Sequence, residues 1–173
     1  MTDSPSPQLV MKRKNLDGLP DLTIPDGFIL RDFMDGDEAD WNRMVIDVWA
    51  VDFNEAIRSH RFFTPERVKF ICADGKPVAT ATAWRDDNDE TLGRVHMVAS
   101  DPAFRGKGLG CQVTSAVLHQ MRKEGRVYAD LTTDDFRLPA IKTYLKLGFE
   151  PVITHESHLG RWKKVYENLG LPI

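Results

Sequence analysis

The fold of this chain is decided by residues 100–110, which read SDPAFRGKGLG. They follow an apolar run that predicts a strand, and they precede a pattern that predicts a helix. Three glycines within five positions leave successive backbone N–H groups free to face one anion. The helix start adds unpaired N–H groups, and Arg105 and Lys107 add positive charge. The stretch therefore predicts a diphosphate-binding loop rather than an ordinary glycine-rich turn. The three glycines are Gly106, Gly108 and Gly110.

The loop alone leaves the kind of diphosphate open. A Walker loop requires GxxxxGK[ST], and the sequence contains no such string. The GxGxxG pattern of a dinucleotide-binding fold is closer, and Asp130 lies about twenty residues on, where a ribose-binding acid would stand. In the two possible registers, however, Cys111 or Val113 takes the place of the third glycine. A dinucleotide-binding oxidoreductase therefore stays as a less favoured alternative.

Outward from the loop, the spacing of apolar residues predicts a mixed α+β fold in one domain. The chain opens with an antiparallel meander and closes with a parallel βαβ crossover. Residues 1–26 hold four of the ten prolines, which predicts an irregular N-terminal extension before a single domain at 27–173. The predicted elements are strand 27–33, helix 37–50, a short helix 53–63, strands 68–73, 78–84 and 91–100, helix 108–124, strand 127–131, helix 136–147, strand 149–154 and a last amphipathic helix.

Composition narrows the classes of partner. The chain has 173 residues and a net charge of −3. Charged residues make up 28% of it, as in an ordinary globular domain. Such an acidic balance argues against nucleic acid as a partner, and no apolar run approaches the roughly 18 residues of a membrane span. Cys72 and Cys111 lie in no CxxC or Cys/His cluster, so we expect no metal site. Free thiols without a secretory signal predict a cytoplasmic location.

Two motifs resemble one known family. Arg105-x-x-Gly108-x-Gly110 matches [QR]xxGx[GA], the loop that holds the pyrophosphate of acetyl-CoA in the GNAT superfamily of N-acetyltransferases. Residues 140–149, AIKTYLKLGF, resemble the A-x-x-x-Y-x-x-x-GF signature near the end of that fold. The resemblance is strong over residues 91–150, and the order of elements agrees from about residue 27. It implies the GNAT fold, in which the pantetheine arm lies between two splayed parallel strands, here 94–100 and 127–131.

The resemblance also implies a reaction. Acetyl-CoA, as co-substrate and without a metal, would give its acetyl group to a primary amine of a small molecule or peptide by direct attack in a ternary complex. The backbone N–H of Val98 would polarise the thioester carbonyl. Tyr144 occupies the position of the acid that protonates the leaving thiolate, although its hydroxyl could instead only orient the sulfur. His96 and Glu90 are candidates for the general base, and a water chain could replace both. The implied cofactor-binding residues are Val98, Ser100 (through its backbone), Arg105, Gly106, Lys107, Gly108, Leu109, Gly110, Cys111 and Arg137.

Three features depart from the family's pattern or lie outside it. Arg137 stands where many members have Asn, and it could reach CoA or pair with Asp134. The C-terminal amphipathic helix replaces a final strand, and it either packs on the core or supplies the face of a homodimer. Acids and aromatic residues near the first helices suit a cationic amine acceptor. A non-catalytic CoA-binding sensor is the alternative function; it would keep the loop but would not need Tyr144. The acceptor candidates are Asp47, Trp49, Asp52, Phe53, Glu55, Phe62 and Phe63.

Overall fold

The structure is a computed structural model that describes residues 6–172, without the side chains of residues 46–48. A seven-stranded sheet carries four helices. The elements are β1 (Leu9–Arg13), β2 (Phe28–Asp32), α1 (Glu38–Trp49), β3 (Val68–Ala73), β4 (Lys76–Arg85), β5 (Leu92–Ser100), α2 (Leu109–Lys123), β6 (Tyr128–Thr133), α3 (Leu138–Lys146), β7 (Glu150–Val152) and α4 (Glu156–Leu169).

The sheet confirms the predicted α+β architecture. Its strand order is β2-β3-β4-β5-β6-β1-β7. Strands β2 to β5 form an antiparallel meander, and β5 and β6 form the parallel pair that α2 connects. Asp74 and Gly75 turn the β3–β4 hairpin with positive φ values of 48° and 79°, as the Asp-Gly pair predicts. None of the helices in the described ranges is long and apolar enough to cross a membrane.

The prediction of an irregular extension over residues 1–26 was wrong in its central part. Residues 9–13 form β1, which lies between β6 and β7 and pairs antiparallel with both, Met11 standing opposite Leu131 and Pro151. Leu9 and Met11 are fully buried, so the strand alternates as an internal strand must. The prolines that suggested irregularity lie on either side of this strand rather than in it. Residues 1–5, and Ile173 at the other end, lie outside the described residues.

Side chains of the sheet alternate between two hydrophobic clusters, one on each face. On one face, α2, α3 and α4 contribute residues such as Val117, Ile141 and Trp162. On the other face, α1 packs Trp41 against Phe70 and the aromatic residues that follow the helix. The predicted short helix at 53–63 is only one π-helical turn, Asn54–Arg58, and it buries Ile57. Its remainder runs as loop.

A hydrogen bond joins the last residue of β1 to the end of α3, and its contribution to stability can be tested. Arg13 donates from Nη1 to the carbonyl of Leu147, which satisfies a helix-terminal acceptor. Gly148 has φ +81°, and a Cβ built there would lie 2.3 Å from Arg13 Nη1. We therefore expect Gly148→Ala to lower the free energy of unfolding by about 2–3 kcal/mol, from left-handed strain and the lost Arg13 contact. Urea unfolding measures this loss.

The matched control for that substitution is Gly125→Ala. Gly125 has a similar φ of +83° with nothing within 4 Å of an added Cβ. It carries only the backbone strain, about 1 kcal/mol. Equal losses in the two variants would show that Arg13 contributes nothing at this position.

Candidate cofactor and acceptor site

The glycine loop has the geometry that an anion site needs. Gly106 and Gly108 adopt left-handed φ values of +79° and +77°, which side chains rarely tolerate. Gly108 is the N-cap of α2 and makes no side-chain cap, so the first helical N–H groups have no capping side chain. At Gly110 the backbone is ordinary helix, and an added Cβ would meet nothing within 4 Å. Exposed Arg105 and Lys107 flank this open space.

Not every predicted loop residue is free to bind. Leu109 is buried at 2% exposure, so only its backbone could face a ligand. The amide of Cys111 donates to the carbonyl of Gly108 at 3.1 Å and is therefore already used. Ser100 stands opposite Ala79 at the end of β5, next to the loop. The space near Gly110 and the helix start are what remain for a diphosphate.

The parallel strands diverge as they approach this loop. β5 and β6 pair only from Leu92 opposite Tyr128 to Arg94 opposite Asp130. Arg94 clamps that last pair, donating from Nε and Nη2 to the two oxygens of Asp130 at 2.8 Å each. Beyond it, residues 95–100 of β5 have no partner on β6 in the described register. A cleft thus opens between the strands toward their C-terminal ends, as the resemblance implied.

A bulge in β5 lies within this cleft. Between the pairs Thr82–His96 and Thr80–Ala99, β4 advances by two residues and β5 by three. The extra residue is accommodated at Met97, whose φ of +48° is rare for a side chain of this kind. Such strain is commonly stored at functional sites. Val98 follows the bulge directly, in the part of β5 that has no partner on β6.

Tyr144 lies on α3, in the cluster that backs the cleft, with 7% of its surface exposed. Its ring packs edge-on against Phe149, 6.1 Å away between centroids. Burial raises the pKa of Tyr144 to about 12, and the positive charge of Arg137 acts in the opposite direction. The phenol therefore stays protonated over the whole working range of an enzyme.

The two candidate bases differ in their surroundings. His96 lies half-buried on β5, with its ring 5.6 Å from that of Trp84. Burial, together with Arg94 and His60, lowers the pKa of His96 to about 4. A neutral imidazole of such low basicity is a weak proton acceptor for an ammonium group. Glu90 is exposed in the β4–β5 hairpin, before β5 begins and far along the strand from Val98.

The lowered pKa of the half-buried His96 predicts that stability depends on pH. Because its pKa is lower in the folded chain than the unfolded value near 6.5, the unfolded state binds more protons between about pH 4 and 6.5. Its contribution to stability is complete above that window and is lost as the pH falls through it. Since the ring is half-buried, we expect acidification from pH 7 to 4 to cost wild type about 2 kcal/mol more than His96→Gln. Parallel pH curves of unfolding free energy for the two proteins would contradict this.

Arg137 connects the start of α3 to the end of α1. It is the N-cap residue of α3, and its Nε lies 3.0 Å from Asp134 Oδ2, so it pairs with Asp134 as one prediction had it. Its guanidinium also stacks on the ring of Trp49, 4.6 Å from the centroid, at the end of α1. Neighbouring Asp135 instead binds Arg161 of α4. The Asn-to-Arg departure thus produces a contact between α3 and α1.

Some of the residues predicted to bind the acceptor belong to the hydrophobic core, and others lie in a turn or line a cavity. Phe53 is fully buried, and it and Phe63 pack around Phe33, so these aromatic rings are core. Asp52 caps the following turn by accepting from the N–H of Glu55 at 2.9 Å. Asp47 falls among the side chains outside the described residues. Phe62 instead lines a cavity of about 260 Å³ at the end of β4. The cavity is lined by His60, Phe62, Trp84, Arg85, Asp86, Asp87, Asn88 and Arg94.

Sequence reasoning missed two arginines that position the site. Arg43 of α1 binds Asp101 and donates to the carbonyl of Pro77 at 2.8 Å, which holds the turn between β5 and the loop. Arg94 engages Asp130, the acid that the dinucleotide alternative needed for a ribose. Both contacts join residues more than 30 positions apart, so no local pattern marks them.

No group of three potential metal ligands occurs within residues 6–172.

Comparison with known proteins agrees with the resemblance to GNAT acetyltransferases. The family described as the Acetyltransferase (GNAT) family matches residues 30–149. Mycothiol acetyltransferase of Thermomonospora curvata is 31% identical over 152 residues, covering 82% of this chain and 50% of that protein. The enzyme of the same name from Nocardia farcinica is 32% identical, over 77% of this chain and 48% of that protein. The chain therefore spans about half the length of the curated relatives it matches.

Solved structures agree on the fold. A GCN5-related N-acetyltransferase from Kribbella flavida has a TM-score of 0.63 at 25% identity, covering 85% of this chain and 55% of that one. Another from Sphaerobacter thermophilus has a TM-score of 0.67 at 20% identity, over 85% of this chain and 50% of that one. Because the family match spans well over half of the residues, this chain belongs to the GNAT family of acetyltransferases.

Proposed function

We propose that this protein is an acetyl-CoA-dependent N-acetyltransferase. One observation carries the proposal: a strained bulge in a splayed strand leads directly into a cationic loop with open glycines. The family supplies the chemistry, since GNAT acetyltransferases use acetyl-CoA. The names of the relatives, mycothiol acetyltransferases, support transfer to an amine of a small molecule.

In this proposal the loop and helix start hold the diphosphate. The N–H groups of Gly108, Leu109 and Gly110 face it, the α2 dipole favours its charge, and Arg105 and Lys107 approach from the surface. The space beside Gly110 is open, and the ligand would occupy it. Ser100 would meet the pantetheine amides through its backbone. Arg137 is assigned to the cleft wall rather than to a cofactor contact, since its guanidinium is held by Asp134 and Trp49.

Two groups of the protein would act on the reacting atoms. As the amine attacks, negative charge develops on the thioester oxygen, and the N–H of Val98 would stabilise it. Tyr144 would meet the leaving sulfur. A phenol with a pKa of about 12 is more than a thousandfold weaker as an acid than a thiol with a pKa near 8.5, so full proton transfer is unfavourable. Hydrogen bonding to the sulfur is the role that this environment favours.

The amine must lose a proton before it attacks. His96 is too weakly basic to take it efficiently, and Glu90 lies on the exposed hairpin. We therefore assign this proton to water reaching the open cleft, the third of the alternatives considered from the sequence. His96→Gln should then retain most of the turnover.

The experiment follows thiol release from acetyl-CoA across a panel of primary amines, alongside calorimetric titration with acetyl-CoA and with NADH. The proposal expects acetyl-CoA binding and thiol release with at least one class of amine. Binding without release on every amine would favour the sensor. Binding of NADH without acetyl-CoA would overturn the assignment of the loop.

A further inference from the structure

Among the charged residues that line the cavity at the end of β4, Arg85 differs from the others in its ion pairing with the described residues. Asp87 binds Arg61, and Arg94 binds Asp130 and lies 3.5 Å from Asp86. Arg85 has no ion pair with any described residue. Its Nε is fully buried and has no hydrogen-bond partner within residues 6–172. Because no described carboxylate offsets the charge of Arg85, a ligand carboxylate is the group that fits the planar donors of its guanidinium.

The rest of the cavity prepares Arg85 for such a ligand. Its guanidinium carbon lies over the ring of Phe62, 4.3 Å from the centroid, a contact that favours this position of the side chain. His60 packs 4.8 Å from Trp84 and 5.1 Å from Phe62, so aromatic rings form one part of a lining that is otherwise polar. The volume of about 260 Å³ suits one side chain with its carboxylate rather than a large ligand.

The cavity and the proposed reaction centre lie at different positions along β5. Trp84 stands opposite Arg94, and the Trp84 ring reaches that of His96 on the same face. Val98 lies four residues beyond Arg94, one of them accommodated by the bulge. At about 3.3 Å for each strand residue, roughly 10 Å separate the cavity from the N–H of Val98. A single amino acid cannot span this distance, whereas an extended tripeptide can.

We infer that the acceptor is an amine that also carries a carboxylate about three residues away, with an apolar or aromatic side chain beside it. Arg85 binds that carboxylate and determines specificity, while the amine lies at Val98. This rests on the proposed function for the fate of the amine, but carboxylate binding by Arg85 does not require turnover.

The test is calorimetric titration of the full chain with Gly-Gly-Phe and with its C-terminal amide. We expect the free carboxylate to bind at least tenfold more tightly, a difference that Arg85→Gln removes and Arg85→Lys keeps in part. Arg61→Gln is the matched control, because Arg61 contacts the same Phe62 ring at 4.7 Å but is exposed and already paired with Asp87. In Arg61→Gln, the logarithm of the affinity ratio between the two peptides should stay above half of its wild-type value.

Equal binding of the two peptides, no binding of either, or an unchanged preference in a folded Arg85→Gln protein would each overturn the inference. Thermal unfolding of each variant establishes that it is folded. The outcome is separable from that of the proposed function. Thiol release with other amines but no carboxylate preference defeats only this inference. Carboxylate-dependent binding without thiol release on any amine defeats only the proposed activity.

Discussion

Gly110→Trp abolishes binding of acetyl-CoA while leaving the fold intact. Gly110 has ordinary helical backbone, so the substitution adds no left-handed strain and improves helix propensity. The indole would occupy the open space in which we place the diphosphate. We expect the dissociation constant to rise at least a hundredfold, and calorimetry with acetyl-CoA measures it. Gly108→Trp should have the same effect, with added strain from its φ of +77°.

The control for steric bulk is Gly160→Trp. Gly160 is also a helical glycine, exposed on the surface of α4, and an added Cβ there meets nothing within 4 Å. This variant should bind acetyl-CoA as wild type does. If Gly110→Trp also binds normally, the diphosphate does not lie at the start of α2.

Tyr144→Phe lowers turnover by about a hundredfold and changes acetyl-CoA binding by less than threefold. The hydroxyl is needed only when charge develops on the sulfur, so its removal should affect kcat rather than affinity. Because the pKa of Tyr144 is about 12, its protonation should not limit the alkaline side of the wild-type pH profile at any ordinary working pH. Steady-state rates over pH 6–10 measure both effects.

Tyr166→Phe on α4 supplies the comparison, since it removes a hydroxyl from a half-buried tyrosine that packs beside Trp162. It should turn over at the wild-type rate. A Tyr144→Phe enzyme that matches wild type at every pH would remove Tyr144 from the mechanism.

The part of the fold that local sequence determines could be predicted. The loop at 100–110 depends on glycine conformations and on the change from strand to helix, and both are local. The hairpin at Asp74-Gly75 depends on two residues and was likewise predictable. The strand boundaries of the meander agree within a few residues, since alternation of buried side chains marks them.

The remainder depends on contacts between distant residues. β1 is only five residues long and pairs with strands that begin more than 110 positions later, so its neighbours, not its own pattern, make it a strand. The Arg94–Asp130 clamp and the isolation of Arg85 arise only when β4, β5 and β6 assemble. The low basicity of His96 is likewise a product of burial, which no motif records.

Transfer of an isotopic label shows directly whether the amine attacks the thioester of acetyl-CoA. The protein is incubated with acetyl-CoA labelled in its acetyl group, together with an amine that supports thiol release, and both protein and amine are examined by mass spectrometry. Direct attack places the label on the nitrogen of the amine and leaves the protein unlabelled when the amine is omitted. A labelled protein side chain, such as the thiol of Cys111, or label that never leaves acetyl-CoA would contradict direct attack in a ternary complex.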